Sequence, residues 1–141
     1  MTTTYSTDAD VRGPCGSVLA DEALRAVNAA RATRSLDATT LDAYRVEAQR
    51  QILIALRLRG ILDVDITRPA DLLAPEVALT IALLCESLLQ HVPTGRVPNA
   101  TADTYAQGAA YWRERYNTLI DAASPIDGQR GAGRSFRWDR C

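Results

Sequence analysis

The stretch PEVALTIALLCESLLQ, at residues 75–90, decides the fold. Pro75 suits the first turn of a helix, and apolar residues then recur at helical spacing on two adjoining faces. These faces carry Val77, Ile81, Leu84 and Leu88, and then Ala78, Ala82, Cys85 and Leu89. So wide an apolar arc predicts a central helix that is covered on several sides.

Three further stretches have helical periodicity. Residues 40–59, which end before Gly60, repeat apolar side chains at Leu41, Tyr44, Ala48, Ile52, Ala55 and Leu56. Residues 101–123 repeat them at Tyr105, Ala109, Trp112, Tyr116, Leu119 and Ile120. Residues 19–33 are good helix formers with a thin apolar face, so we expect them to pack at an edge or against a neighbouring subunit. The sequence predicts an all-α fold, a small bundle of about four helices over residues 1–123, with an extended C-terminal arm over residues 124–141.

Several local expectations follow from the same patterns. Within 40–59, Arg45 and Gln49 fall mostly on the polar side, while 52–58 is apolar nearly all round and should be deeply buried. The alternating ILDVDI at 61–66 could be a short strand, but a lone strand is unstable. We therefore expect the connection 61–74 to be an extended loop, or a strand completed by another subunit. Residues 1–18 look loosely structured apart from one possible helical turn at 8–12.

Composition and charge narrow the function. The 141 residues are 47% hydrophobic and 23% charged, which is enough apolar material for one globular core. The net charge is −1, whereas proteins that grip nucleic acid usually carry a basic surplus. No stretch approaches the roughly 20 apolar residues of a membrane helix, and the N-terminus lacks the features of a signal peptide. We expect a protein that stays in the cytoplasm or in an assembly built there, without a membrane partner.

Few side chains have a spacing typical of catalysis or metal binding. His91 is the only histidine, at a predicted helix end, where it most often complements the helix dipole. Cys15, Cys85 and Cys141 are far apart in no metal-binding spacing, and Cys85 is predicted to be a small buried apolar residue. The carboxylates are scattered singly, as on a solvated surface. We expect no enzyme activity, no metal and no cofactor.

The arm at 124–141 has a different character. Three Gly and one Pro disfavour regular structure, yet the segment includes Phe136 and Trp138. Four arginines lie around them: Arg130, Arg134, Arg137 and Arg140. Trp, Phe and Arg are enriched where interfaces gain most of their binding energy, so these six residues are predicted to bind a partner; a disordered end is the alternative. Nucleic acid also attracts such residues, but Asp127 and Asp139 dilute the charge.

The order of these features is distinctive as a set. YSTDADV at 5–11 precedes a helical body that contains AQRQILIAL at 48–56, and a Pro-containing link leads to the helix at 75–90. A last helix with aromatic residues at 105, 112 and 116 is followed by the arm. This layout resembles the head-to-tail adaptor (connector, or head-completion) proteins of tailed bacteriophages and gene transfer agents. The resemblance covers roughly residues 5–125 and is one of pattern and helix order, with no diagnostic catalytic motif.

The resemblance implies a structural protein of the virion neck, assembled in the host cytoplasm. Members of the family form a homo-oligomeric ring, usually twelve-fold, beneath the portal protein. The ring extends the DNA channel, holds DNA only in transit, and offers a surface to the next stopper or tail component. C-terminal arms of the family typically dock onto the portal, a role that would fall here on residues 124–141, with Phe136 and Trp138 as anchors and the four arginines as polar contacts.

Two other interpretations stay open from the residues alone. One is a small helical regulatory or toxin-neutralising module that binds a single partner protein through its C-terminal tail. The other is a DNA-binding regulator with a helix-turn-helix. The second ranks last, because the sequence lacks a tight turn between two short helices followed by a basic recognition face.

Overall fold

A computed structural model describes residues 4–13, 19–91, 99–123 and 125. Within these ranges the chain forms α1 (Asp8–Arg12), α2 (Leu19–Thr33), α3 (Leu41–Leu58), α4 (Leu73–His91) and α5 (Asn99–Ala122). Short 3-10 helices at Asp63–Asp65 and Pro69–Leu72 connect α3 to α4. The structure is 79% helical and has no strand in the described ranges, which confirms the all-α prediction.

Helix α4 is the centre of the bundle, as the width of its apolar arc predicts. Helices α2, α3 and α5 each pack against it, and α1 and the second 3-10 helix also contact it. One half of the core joins residues of all five helices, around Val27, Ile81 and Tyr105. The other half joins α3, α4 and α5, around Ile52, Leu79 and Tyr116. Nearly every turn of α4 is therefore enclosed.

Two helices end in the same hydrogen-bonded motif. At the end of α3, the N–H of Ile61 donates to the carbonyl of Leu56, and the N–H of Gly60 donates to that of Arg57. This Schellman motif needs a left-handed residue, and Gly60 supplies it with φ +83°. At the end of α2 the same two bonds form around Ser35, whose φ is +59°. A non-glycine residue is strained in that conformation.

The connection between α3 and α4 differs from the prediction. No strand forms at 61–66; instead the Leu62 N–H donates to the Asp65 carboxylate at 3.2 Å, and the Asp65 N–H donates back to the Leu62 carbonyl at 2.9 Å. These local bonds close a 3-10 turn in place of a strand. Of the apolar residues in this stretch, Ile61 is buried, whereas Leu62 and Val64 are exposed.

The N-terminal segment is more ordered than the sequence predicts. Thr7 caps α1 by accepting a hydrogen bond from the Asp10 N–H, and the Asp10 carboxylate accepts one from the Thr7 N–H. Val11 is completely buried in the core, and Ser6 is 3% exposed. Residues 4–12 are therefore part of the folded body. The thin face of α2 likewise packs within the subunit, against α4.

Helix α3 is exposed on a side where the sequence predicts burial. Ile52 and Leu56 are buried, but Ile54 is 43% and Leu58 86% exposed. The prediction that Arg45 and Gln49 lie on the polar side was also wrong, because both residues are buried. The reason is that α3 packs mainly against α4, so only one face of an almost wholly apolar stretch is covered.

Candidate functional site

The six residues predicted to bind a partner lie outside the part of the chain that the structure describes. Arg130, Arg134, Phe136, Arg137, Trp138 and Arg140 all belong to residues 126–141. The chain reaches them from Pro125, whose carbonyl accepts hydrogen bonds from the N–H groups of Thr67 and Arg68 at 2.9 and 2.7 Å. Arg59 donates to the carbonyls of Ile120 and Ala123 at the end of α5. The arm therefore starts from a fixed point beside the connection that precedes α4.

The first turn of α4 carries a buried carboxylate, Glu76, which holds the N-terminal segment. The sequence did not reveal that it would be buried. Glu76 is 0% exposed, and its oxygens accept hydrogen bonds from the backbone N–H groups of Tyr5 at 3.0 Å and Ser6 at 2.8 Å. The Ser6 hydroxyl also donates to it. Burial raises the pKa of Glu76 above its ordinary value, while the bonds from Ser6 and Tyr5 act in the opposite direction.

Arg45 completes this polar cluster from α3. Its guanidinium donates to the Ser6 carbonyl and to the Thr4 hydroxyl, and it pairs with Asp8 and Asp42 at 2.9 Å each. The cluster thus holds residues 4–8 against α3 and α4. Because Glu76 is sealed from solvent, it can orient a chain segment but cannot meet a substrate. We interpret it as a structural clasp.

Four large apolar side chains near the end of α3 and in the turn after it are exposed. Ile54 and Leu58 are one helical turn apart, and Leu62 and Val64 follow in the connection. Leu62 is 55% exposed and Val64 88%. Arg57, beside Leu58, pairs with Asp63 at 3.2 Å. We call Ile54, Leu58, Leu62 and Val64 the apolar edge; exposed apolar groups of this kind are typical of interaction sites.

A cavity of about 300 Å³ opens between the first half of α3 and the second half of α4. Its walls are formed by Thr39, Ala43, Tyr44, Glu47, Leu83, Glu86 and Ser87. Inside it, the Tyr44 hydroxyl donates to the Ser87 hydroxyl at 2.9 Å. We call this cavity the α3–α4 cavity; its volume is at the lower end of the range for small-ligand sites.

The two acids of the α3–α4 cavity are both held by arginines. Glu47 accepts two hydrogen bonds from Arg50, at 2.7 and 2.6 Å, which lowers its pKa to about 2. Glu86 accepts two from Arg113 of α5, at 3.0 and 2.7 Å. Bidentate pairs of this kind are among the stronger hydrogen-bonded contacts between side chains. The cavity therefore combines apolar lining residues with two carboxylates whose charges are each paired with an arginine.

The thiol of Cys85 lies in the core of the bundle. Cys85 is completely buried, and burial raises the pKa of its thiol to about 11, so thiolate is scarce at neutral pH. No group of three or more potential metal ligands occurs among the described residues.

One segment of the described chain, Pro69–Leu89, has the length and composition that could cross a membrane. The sequence pattern did not suggest such a segment, because polar residues interrupt it. Within the fold, 72% of the most apolar window is buried, as is usual for the core helix of a bundle.

Comparison with known proteins gives no relative. No model of a known protein family matches the chain, and neither curated proteins nor solved structures include a match.

Proposed function

We propose that this protein is a head-to-tail adaptor of a tailed bacteriophage or gene transfer agent. In this role copies of the chain form a ring beneath the portal, extend the DNA channel, and connect the head to the neck stopper or tail. The observation that carries the proposal is the apolar edge, where Leu58 and Val64 are 86% and 88% exposed on an otherwise well-packed helical bundle. Exposed apolar side chains of this extent favour a protein that works in an assembly.

The helix order supports the same role. Helices α3, α4 and α5 follow one another as the resemblance to the adaptor family implies, with the aromatic residues Tyr105 and Tyr116 packed in the core. The net charge of −1 also suits a channel that DNA must pass through, because each fixed phosphate contact would slow transit.

The arm is the proposed contact with the portal. It leaves the bundle at Pro125, which is held by Thr67 and Arg68, so its origin on the domain is well defined. Phe136 and Trp138 would be buried in the portal, and the four arginines would make polar contacts around them. Ordering the arm costs free energy, which only burial of the aromatic side chains can offset.

The test uses the purified chain and the portal protein encoded with it. Light scattering and negative-stain imaging should give a ring on the portal for the full chain and none for a chain that ends at residue 125. A matched control carries residues 126–141 in scrambled order, with the same composition and charge, and should also fail to bind. Circular dichroism should give the same helix content for all three proteins.

Two results would contradict the proposal. If the truncated chain forms the same ring, the arm is not the portal contact. If the full chain stays a monomer or dimer and ignores the portal, the adaptor role fails. The arm would then bind one other protein, and the regulatory module becomes the better hypothesis.

A further inference from the structure

A side chain from the end of α3 caps the end of α5. The last carbonyl groups of a helix have no hydrogen-bond partner within the helix, and the helix dipole favours a cation beside them. Arg59, which follows α3, donates from Nη1 to the Ile120 carbonyl at 2.8 Å and from Nη2 to the Ala123 carbonyl at 3.3 Å. One guanidinium therefore joins two helix ends, although Arg59 and Ile120 are 61 positions apart in the sequence.

A second contact holds the chain just after α5. The Pro125 carbonyl accepts hydrogen bonds from two consecutive backbone N–H groups, that of Thr67 at 2.9 Å and that of Arg68 at 2.7 Å. Pro125 is buried, and so is Ala123. The chain is thus fixed immediately before the arm begins. We call the Arg59 guanidinium, these two N–H groups and the three carbonyls that they bind the joint.

The joint can be separated from the core by mutation. Arg59 is exposed, so its removal leaves no cavity among the buried side chains. The end of α5 packs in the core through the side chains of Tyr116, Leu119 and Ile120, whereas the joint uses backbone carbonyls. Loss of the guanidinium should therefore loosen the last turn of α5 and leave the bundle folded.

A fixed starting point lowers the free-energy cost of binding through the arm. Each residue whose backbone becomes ordered on binding loses conformational entropy, and a segment that is already ordered does not incur this cost again. With the joint intact, only the arm itself must be ordered. If the last turn of α5 frays, its residues must be ordered at the same time as the arm, and binding becomes weaker.

We propose that Arg59 is the positioning residue of the arm. By joining the end of α3 to the end of α5, it fixes the point at which residues 126–141 leave the bundle, and it thereby strengthens binding through them. Arg59 does not contact the partner in this role, because its donors are used on the carbonyls of α5. The joint is a property of the bundle; the portal as the arm's partner rests on the proposed function.

The test uses three variants of the full chain. Arg59→Ala removes both hydrogen bonds of the guanidinium. Arg59→Lys keeps a cation with three N–H donors that can bind the same carbonyls. Arg57→Ala is the matched control, because Arg57 is also an exposed arginine at the end of α3 but pairs with Asp63. Urea unfolding measures the stability of each variant.

Hydrogen exchange measures the joint directly, because the Thr67 and Arg68 N–H groups both donate to Pro125. We expect Arg59→Ala to exchange these two amides about ten-fold faster than the wild type does, while amides in the middle of α4 change much less. A general loss of stability would instead raise exchange at all of them. Arg59→Lys should fall between Arg59→Ala and the wild type, and Arg57→Ala should match the wild type.

Titration onto the purified portal encoded with the chain measures the effect on binding. We expect Arg59→Ala to bind about ten-fold more weakly than the wild type, with Arg59→Lys between them and Arg57→Ala unchanged. Unchanged exchange at Thr67 and Arg68 in Arg59→Ala would overturn the inference. Faster exchange with unchanged portal affinity would also overturn it, since the joint would not aid binding, but would keep the adaptor role. A wild type that ignores the portal would instead reject the adaptor role, and the exchange rates would still decide the joint.

Discussion

Glu76 and Ser6 are 70 positions apart in the sequence, yet the Glu76 carboxylate accepts the Ser6 backbone N–H at 2.8 Å. The Ser6 hydroxyl donates to the same carboxylate, and the Tyr5 N–H donates to its other oxygen at 3.0 Å. A buried polar group is stable only when hydrogen-bond partners of this kind replace water. The N-terminal segment is therefore held by a specific polar contact and not only by Val11.

Replacing Glu76 with Gln should destabilise the fold. The amide keeps the shape of the side chain, but it turns one acceptor into a donor that faces a backbone N–H. We expect a loss of about 1–3 kcal/mol in the free energy of unfolding, measured in urea near pH 5. Glu114→Gln, at an exposed site on α5, should change stability by less than about 0.5 kcal/mol. Equal effects of the two substitutions would mean that the clasp contributes nothing.

The pH dependence of stability should show opposite contributions from two glutamates. Burial raises the pKa of Glu76 above its ordinary 4.5, so its contribution is full below pH 4.5 and is lost as the pH rises through the folded pKa. The Arg50 hydrogen bond lowers the pKa of Glu47 to about 2, so its contribution is present above pH 4.5 and is lost as the pH falls toward 2.

Urea unfolding at a series of pH values, for the wild type, Glu76→Gln and Glu47→Gln, measures both contributions. The stability difference between wild type and Glu76→Gln should shrink as the pH rises above 4.5. The difference for Glu47→Gln should shrink as the pH falls below 4.5 and should be small throughout, because the Glu47 side chain is 41% exposed and solvent screens the pair. Two differences with the same sign of slope would contradict these assignments.

Substitutions in the two Schellman motifs should change the stability of the protein in opposite directions. Ser35 has φ +59° and Gly60 has φ +83°. Ser35→Gly should therefore relieve strain and stabilise the protein, and Gly60→Ala should introduce strain, by about 1 kcal/mol in each direction. Thermal unfolding of both variants checks the pair. A Gly60→Ala variant as stable as the wild type would show that the turn adopts another conformation at little cost.

Leu56 and Leu58 test which face of α3 is buried. Leu56 is 1% exposed and Leu58 is 86% exposed, although only one residue separates them. Leu56→Ala should cost about 2–5 kcal/mol, and Leu58→Ala should change the stability of the monomer by less than about 0.5 kcal/mol. Urea unfolding at low protein concentration makes the comparison. Similar losses would place Leu58 inside the monomer core.

Cys85 should be inert in the native protein. Its thiol is buried, and its raised pKa of about 11 leaves little thiolate to react. In a chain with Cys15 and Cys141 replaced by Ser, iodoacetamide at pH 8 should label Cys85 only after urea unfolds the protein. Rapid labelling without urea would show that the core around α4 opens readily.

Helix order could be predicted because 40–59, 75–90 and 101–123 repeat apolar residues at helical spacing, and 19–33 is rich in helix-forming residues. The exposure of Leu58 could not be predicted, because a stretch that is apolar on all sides has no pattern to show which side is covered. The burial of Arg45 and Glu76 could not be predicted either, because both bind residues within 4–8, which are far away in the sequence. The proposed contacts of Phe136 and Trp138 stay predictions that the described residues do not test.

The clasp between Glu76 and the N-terminal segment also sets an order of events during synthesis. Tyr5 and Ser6 emerge from the ribosome first, but their acceptor is made 70 residues later. At ordinary translation rates this is a delay of roughly 4–14 s. During that time α2 and then α3 are completed, and until α4 follows their apolar faces have no central helix to pack against. Synonymous codons that slow translation between α3 and α4 would lengthen the time during which these apolar faces are exposed, and with it the risk of aggregation.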